Sequence, residues 1–213
     1  MEKTVFIFVR HAESKKNIHD ITGGSGEQLT DEGRRQATAL SLALLDIVKD
    51  KEMDIISSNT IQTIQTAELI SKVLKKHYLV TDSLKPAGIG VINGLTKKEV
   101  QKVYPKLAEQ MERWRNRELE AIELEIPEME APIDFWNRII DYIKEINNGK
   151  IKIIVSTRSI MVLIYNLVCG NLPILGGGYK HMTIGNCDII AFSSDADFKN
   201  IKLIKEITSD NLR

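Results

Sequence analysis

The run Thr4-Val5-Phe6-Ile7-Phe8-Val9 constrains this chain more than any other stretch. It is β-branched and aromatic, with no polar alternation. A strand of that kind is buried on both faces, as in a sheet covered by helices on each side. Further strands are expected at Met53–Ser57, Tyr78–Val80, Ile151–Ser156, Asp188–Phe192 and Ile201–Lys205. Between them lie helical patterns. Thr30 is a good N-cap for a helix carrying Ala37, Leu40, Leu44, Leu45 and Val48. A second helix is predicted from about Thr60 to Lys75, a turn or two from Thr96 to Tyr104, a highly charged helix over Leu107–Ala121, and an apolar one over Ile160–Val168 ended by Gly170. Gly23-Gly24-Ser25-Gly26 and the Pro/Gly-rich residues 84–95 read as loops. Strands alternating with helices predict an α/β fold, a three-layer α/β/α sandwich with a mainly parallel sheet. Sites in such sheets collect beyond the carboxyl ends of strands. Arg10-His11 and Ser156-Thr157-Arg158 both occupy such places.

The length of 213 residues suits a single domain, 1–213. Lys+Arg and Asp+Glu balance at 29 each, which gives no global case for nucleic acid or an anionic membrane. Any phosphate binding must therefore be local. Cys169 and Cys187 lack metal-ligand spacing and are expected to be reduced, largely buried thiols in a cytoplasmic protein. No stretch reads as a signal peptide, and no apolar run is long enough to span a bilayer.

A histidine beside an arginine at a strand end has a definite chemistry. An imidazole attacks phosphorus only when neutral, and a neighbouring cation both disfavours its protonation and draws charge from phosphoryl oxygens. Arg10-His11-Ala12-Glu13-Ser14 resembles the RHGE signature of the histidine phosphatase superfamily, the phosphoglycerate-mutase-like branch. Leu29-Thr30-Asp31-Glu32-Gly33 with Gln36-Ala37 resembles its LTxxGxxQA segment, and Ser57, Ser58, Gln65, Thr66 and Ala67 match SSPLxRAxQTA. Leu84, Gly90, Gly94, Leu95, Thr96, Glu99 and Val100 match a third segment. Val155-Ser156 matches the start of VSHGG. Glu130-Ala131, Asp134-Phe135 and Arg138 loosely match a later segment, and Asn186 an asparagine before the penultimate strand. The resemblance implies a phosphoglycerate-mutase-like fold, His11 as nucleophile, and Arg10 and Asn17 on phosphate. It implies no metal and no cofactor, since arginines do the work of cations.

The same resemblance departs from the family at three further positions. The second phosphate-binding arginine falls on Gln62, which carries no charge and cannot fork onto phosphate. The proton-donor glutamate falls on Pro86, which transfers no proton; losing a general acid costs on the order of 10²–10⁴ in rate. The second histidine falls on Thr157. Arg158 beside it either restores a positive charge at the phosphate or is an exposed helix-start arginine.

Residues 118–130 hold six glutamates, Glu118, Glu120, Glu123, Glu125, Glu128 and Glu130, within a helical, Glu-rich insertion at about 96–130. They read as solvated surface or, by the resemblance, as an acidic lid over the pocket that would favour a cationic ligand. His19 is either a stand-in acid or an exposed loop histidine. Trp114 and Trp136 sit at helical positions and read as packing residues. Three functional readings follow: a protein binding a phosphorylated or anionic small molecule with weak or lost phosphomonoesterase activity; an active phosphomonoesterase with a replacement acid; and a non-catalytic interaction module. The expected partner is a phosphorylated small molecule, neither nucleic acid nor membrane, and a homodimer is the assembly to test.

Overall fold

The computed structural model describes residues 3–24, 26–49 and 51–207. Ser25, in the predicted glycine loop, lies outside the described residues. The strands are β1 (Thr4–Arg10), β2 (Met53–Ser58), β3 (Tyr78–Thr81), β4 (Ile151–Ser156), β5 (Ile189–Ser194) and β6 (Lys202–Ile207). They form one sheet in the order β3-β2-β4-β1-β5-β6. The pairs β1–β4, β4–β2 and β2–β3 are parallel, while β5 runs antiparallel to both β1 and β6. Only β5 therefore opposes the rest, and the sheet is mainly parallel as expected.

The uninterrupted apolar character of β1 is used on both faces. Phe6 and Phe8 join Ile154, Ile190 and Phe192 on one side, where the Phe6 and Phe192 rings stack with centroids 5.0 Å apart. Ile7 and Val9 join Ile153 and Val155 on the other. Each such side chain contributes about 1.5–3 kcal/mol by leaving water. The first face is covered by α6 (Pro132–Glu145) and α7 (Arg158–Val168), through Phe135, Ile139, Ile143, Ile160 and Ile164. The second is covered by α2 (Asp31–Val48) and α3 (Ile61–Leu74), through Ala37, Leu40, Leu44, Ala67 and Ile70. The Thr30 hydroxyl caps α2 as expected, accepting from the Gly33 N–H at 2.9 Å. The short α1 (Lys15–Ile18) and the boundaries of α6 are additions to the sequence reading. Trp136, expected at a helical packing position, is buried in α6.

Two expectations are corrected. The insertion begins with α4 (Lys97–Val103) and α5 (Pro105–Arg115), but the predicted helix does not continue to Ala121. Arg117 turns the chain with φ 64° and its Nε–H donates to the His181 carbonyl at 3.2 Å, so tertiary contact ends the helix where local propensity would have continued it. The Glu-rich residues 118–130 are irregular, with one 3-10 turn at Ala121–Glu123. Cys169 is exposed, because it caps the outer end of α7; Cys187 alone is buried. No helix among the described residues is long and apolar enough to cross a membrane.

Candidate active site

β1 and β4 lie side by side with Arg10 opposite Ser156, and the His11 N–H donates to the Ser156 carbonyl at 3.0 Å. His11 and Thr157 thus leave the sheet together, beyond the carboxyl ends of adjacent parallel strands. A cleft of about 300 Å³ opens there, lined by Arg10, His11, Asn17, Gln62, Thr157 and Arg158. Pro86 forms part of its wall. All seven positions singled out in the sequence meet in this one place.

The His11 ring is buried, and its Nδ1 lies 2.8 Å from the Ala12 carbonyl oxygen. A carbonyl can only accept, so Nδ1 carries the proton and the Nε2 lone pair is free. Burial first, and then the Arg10 charge, push the imidazolium pKa down to about 3, with Lys16 and Arg158 adding to the effect. The imidazole is neutral over the whole physiological range. Such a group can accept a phosphoryl group without first losing a proton.

The residues that hold this loop are those of the flanking motifs. The Ala12 N–H donates to Thr66 Oγ1 at 3.1 Å, the Glu13 N–H to Gln36 Oε1 at 3.0 Å, and the Leu29 N–H to Gln65 Oε1 at 2.8 Å. Thr30 Oγ1 donates to Glu13 Oε1 at 2.7 Å. Asn186 Nδ2 donates to the His11 carbonyl at 2.9 Å. Gly33 passes so close to this loop that a Cβ there would sit 1.9 Å from the Glu13 carbonyl oxygen. Asn17 Oδ1 accepts from the Ser14 backbone and hydroxyl, each at 3.0 Å, which fixes the amide and leaves Nδ2 as its donor for the cleft. Gln62 Oε1 likewise accepts from the Glu27 N–H at 3.2 Å.

The cleft is cationic. Arg10 is buried, donates to the Ile184 carbonyl at 2.6 Å, and keeps an Nε–H with no partner among the described residues. Desolvation, then Arg158, lower its pKa to about 10. Lys16 and Arg158 are also pushed down, by desolvation first, although Arg158, the first residue of α7, is itself exposed at the rim of the cleft. These groups are stabilised by an anion arriving among them. Of the described residues lining the cleft, only Asp20 is a carboxylate, and it pairs with Lys97 at 2.9 Å. That bond holds its pKa down, so Asp20 stays ionised and has no proton to give.

The structure moves two expectations and adds a residue. His19 is exposed beside Glu27 and does not line the cleft. Neither does any glutamate of 118–130, so the acidic-lid expectation is wrong. Glu118, Glu123, Glu125 and Glu128 are exposed, as the solvated-surface reading expected, and the other two hold backbone. Glu120 accepts from the Gly176 and Gly178 N–H groups at 2.9 and 3.0 Å. Glu130 accepts from the Gly88 N–H at 2.9 Å and from Arg138, whose Nη1–H groups reach the Ser83 and Lys85 carbonyls. Together they fasten the loop that carries Pro86. His181, passed over in the sequence, lines the cleft edge-on to Trp114 with ring centroids 4.7 Å apart. Burial, then Arg158, Arg115 and Arg117, lower its pKa to about 4. Its loop has no local motif, so no sequence signal marked it.

A family model described as histidine phosphatase superfamily (branch 1) matches residues 6–207. No curated protein sequence matches the chain. Among solved structures, the chain is similar to phosphoglycerate mutase from Bacillus anthracis, with a TM-score of 0.78 at 16% identity over 99% of this chain and 96% of that one. It is also similar to a mycobacterial glucosyl-3-phosphoglycerate phosphatase in complex with VO3, with a TM-score of 0.75 at 19% identity over 94% and 96% of the two chains. At such identities the likeness is one of fold.

Proposed function

The chain belongs to branch 1 of the histidine phosphatase superfamily, and from that premise we propose that it binds a phosphorylated small molecule at the His11 cleft and hydrolyses it weakly or not at all. One observation carries the binding reading. His11 presents a free Nε2 lone pair to a cleft whose other charged walls include Arg10, Lys16 and Arg158. In this reading Arg10, the Asn17 amide and Arg158 hold the phosphate, and Gln62 adds one uncharged donor where the family pattern has a guanidinium. The weak-turnover part rests on the proton. A leaving alkoxide needs an acid, the wall offers Pro86 at the family's acid position, and Asp20 is tied to Lys97. Arg158 within the cleft answers the loss of charge at Gln62 in part, and Thr157, hydrogen-bonded to Ser159 at 3.2 Å, does not replace an imidazole.

A phosphatase assay over a broad phosphoester panel, with a His11→Ala control and phosphate binding measured in parallel, tests this. The expected result is saturable phosphate binding that falls in His11→Ala, with turnover of aryl phosphates near background. Efficient hydrolysis lost in His11→Ala overturns the weak-turnover part. It would favour the second reading, an active phosphomonoesterase with a replacement acid. Restoring Gln62→Arg, Pro86→Glu and Thr157→His together, with Arg158→Gly for room, is expected to raise turnover where single changes do little, because such groups act as a unit.

A further inference from the structure

The cleft does not end at its cationic floor. A second concavity of about 660 Å³ lies along α4 and α5, and it shares Thr22, Lys97, Met111 and Arg115 with the His11 cleft. The two adjoin along these four residues, and the larger volume is on the side away from His11. We infer that this outer groove receives the neutral, amphipathic alcohol portion of a large phosphomonoester whose phosphate lies at His11. The inference rests on the phosphate-binding reading of the His11 cleft and goes beyond it to the class of ester.

Size and charge both point this way. A volume of this order lies within the roughly 300–1,000 Å³ of pockets that enclose whole small-molecule ligands, and it far exceeds what a phosphate alone requires. The inner end gathers Arg10, Lys16 and Arg158, and of the described residues lining it only Asp20 is a carboxylate. The outer end is balanced. Lys97 is paired with Asp20 at 2.9 Å and Arg115 with Glu112 at 3.0 Å, while Lys106 and Glu109 supply one charge of each sign. A compact ligand with a second anion would meet cations already answered, and carboxylates beside them. A neutral body loses nothing there. Its apolar face meets Ala108 and the adaptable Met111, backed by the buried Ile92 and Val100, and its polar groups meet Gln101 and Glu109. A nucleoside-sized or glycoside-sized alcohol fits this description; a second phosphate or carboxylate does not.

The test is calorimetric titration of the full chain with inorganic phosphate, 3-phosphoglycerate and adenosine 5′-monophosphate. The nucleotide is expected to bind at least about tenfold more tightly than phosphate, with 3-phosphoglycerate close to phosphate. Filling the outer groove by Ala108→Trp is expected to bring the nucleotide-to-phosphate affinity ratio to within about twofold of unity. Gln101→Trp, at an exposed position where folding is not at stake, is expected to act in the same direction. A ratio unchanged in Gln101→Trp, or 3-phosphoglycerate binding more tightly than the nucleotide, overturns the inference while leaving phosphate binding intact. Failure of all three to bind removes the phosphate site itself, and this inference with it.

Discussion

The floor and the outer wall of the cleft are built differently. The floor is a strand end whose surrounding backbone is held by side chains of α3 and α2 and by Asn186. The wall is made of loops and short helices, 84–103 and 105–115; Trp114 meets His181 edge-on, and just beyond it Arg117 and Glu120 bond the backbone of the loop at 176–182. The family pattern divides along another line, by what each side chain touches. Residues that match it, Gly33, Gln36, Gln65, Thr66 and Asn186, bond or pack on the backbone around His11. The positions that depart from it, Gln62, Pro86 and Thr157, face the ligand space. A side chain that holds backbone resists change because the backbone it holds cannot move alone, whereas a side chain aimed at the cleft can change without disturbing the fold.

Glycine substitutions put that contrast under the greatest strain. Gly33→Ala drives a Cβ to 1.9 Å from the Glu13 carbonyl oxygen, a backbone atom that cannot step aside. A loss of about 4 kcal/mol or more, or failure to fold, is expected by chemical denaturation. Gly94→Ala in the wall meets no atom within 4 Å and strains only its φ of 82°, for about 1–2 kcal/mol. Equal losses would break the comparison.

Acid sharpens it. The unfolded chain takes up a proton on His11 near pH 6.5, while the folded chain refuses it until about pH 3. The unfolded state therefore binds more protons between those values, so stability rises with pH across this window and is lost as pH falls through it. His11→Asn, which can still donate to the Ala12 carbonyl, is expected to remove on the order of 4 kcal/mol of acid destabilisation by pH 3 and none at pH 7. Denaturation midpoints from pH 7 to pH 3 read this directly. His181→Asn in the half-buried wall has the same sign and a smaller effect.

The smallest effects distinguish a buried bond from an exposed pair. Thr66→Val removes the acceptor of a buried N–H and is expected to cost about 1–3 kcal/mol. Lys97→Ala breaks a largely exposed pair and is expected to change stability by less than about 0.5 kcal/mol. A thermal shift of similar size for both would erase the distinction.

What could be read from the sequence follows the same division. The floor was legible because β1 announces itself by composition and its supports lie at fixed short spacings, from Thr30 to Gly33 and from Gln62 to Thr66. The wall was not. The end of α5 at Arg115 is set by Arg117 reaching a carbonyl 64 residues away. Glu120 faces the 176–178 loop and Glu130 faces Arg138 rather than the cleft, a choice fixed by packing that no local pattern encodes. His181 entered the site by the same route, and Cys169 was misplaced because its exposure depends on where α7 stops.

The bond from His11 Nδ1 to the Ala12 carbonyl has one more consequence, and it is isomeric. Phosphohistidine exists as two regioisomers, one for each ring nitrogen. A ring whose Nδ1 is engaged can be phosphorylated only at Nε2, so any adduct trapped on this chain is expected to be 3-phosphohistidine. Phosphorus and nitrogen NMR of the trapped chain separate the two isomers. The 1-isomer would mean that the ring turns over in its pocket before it reacts.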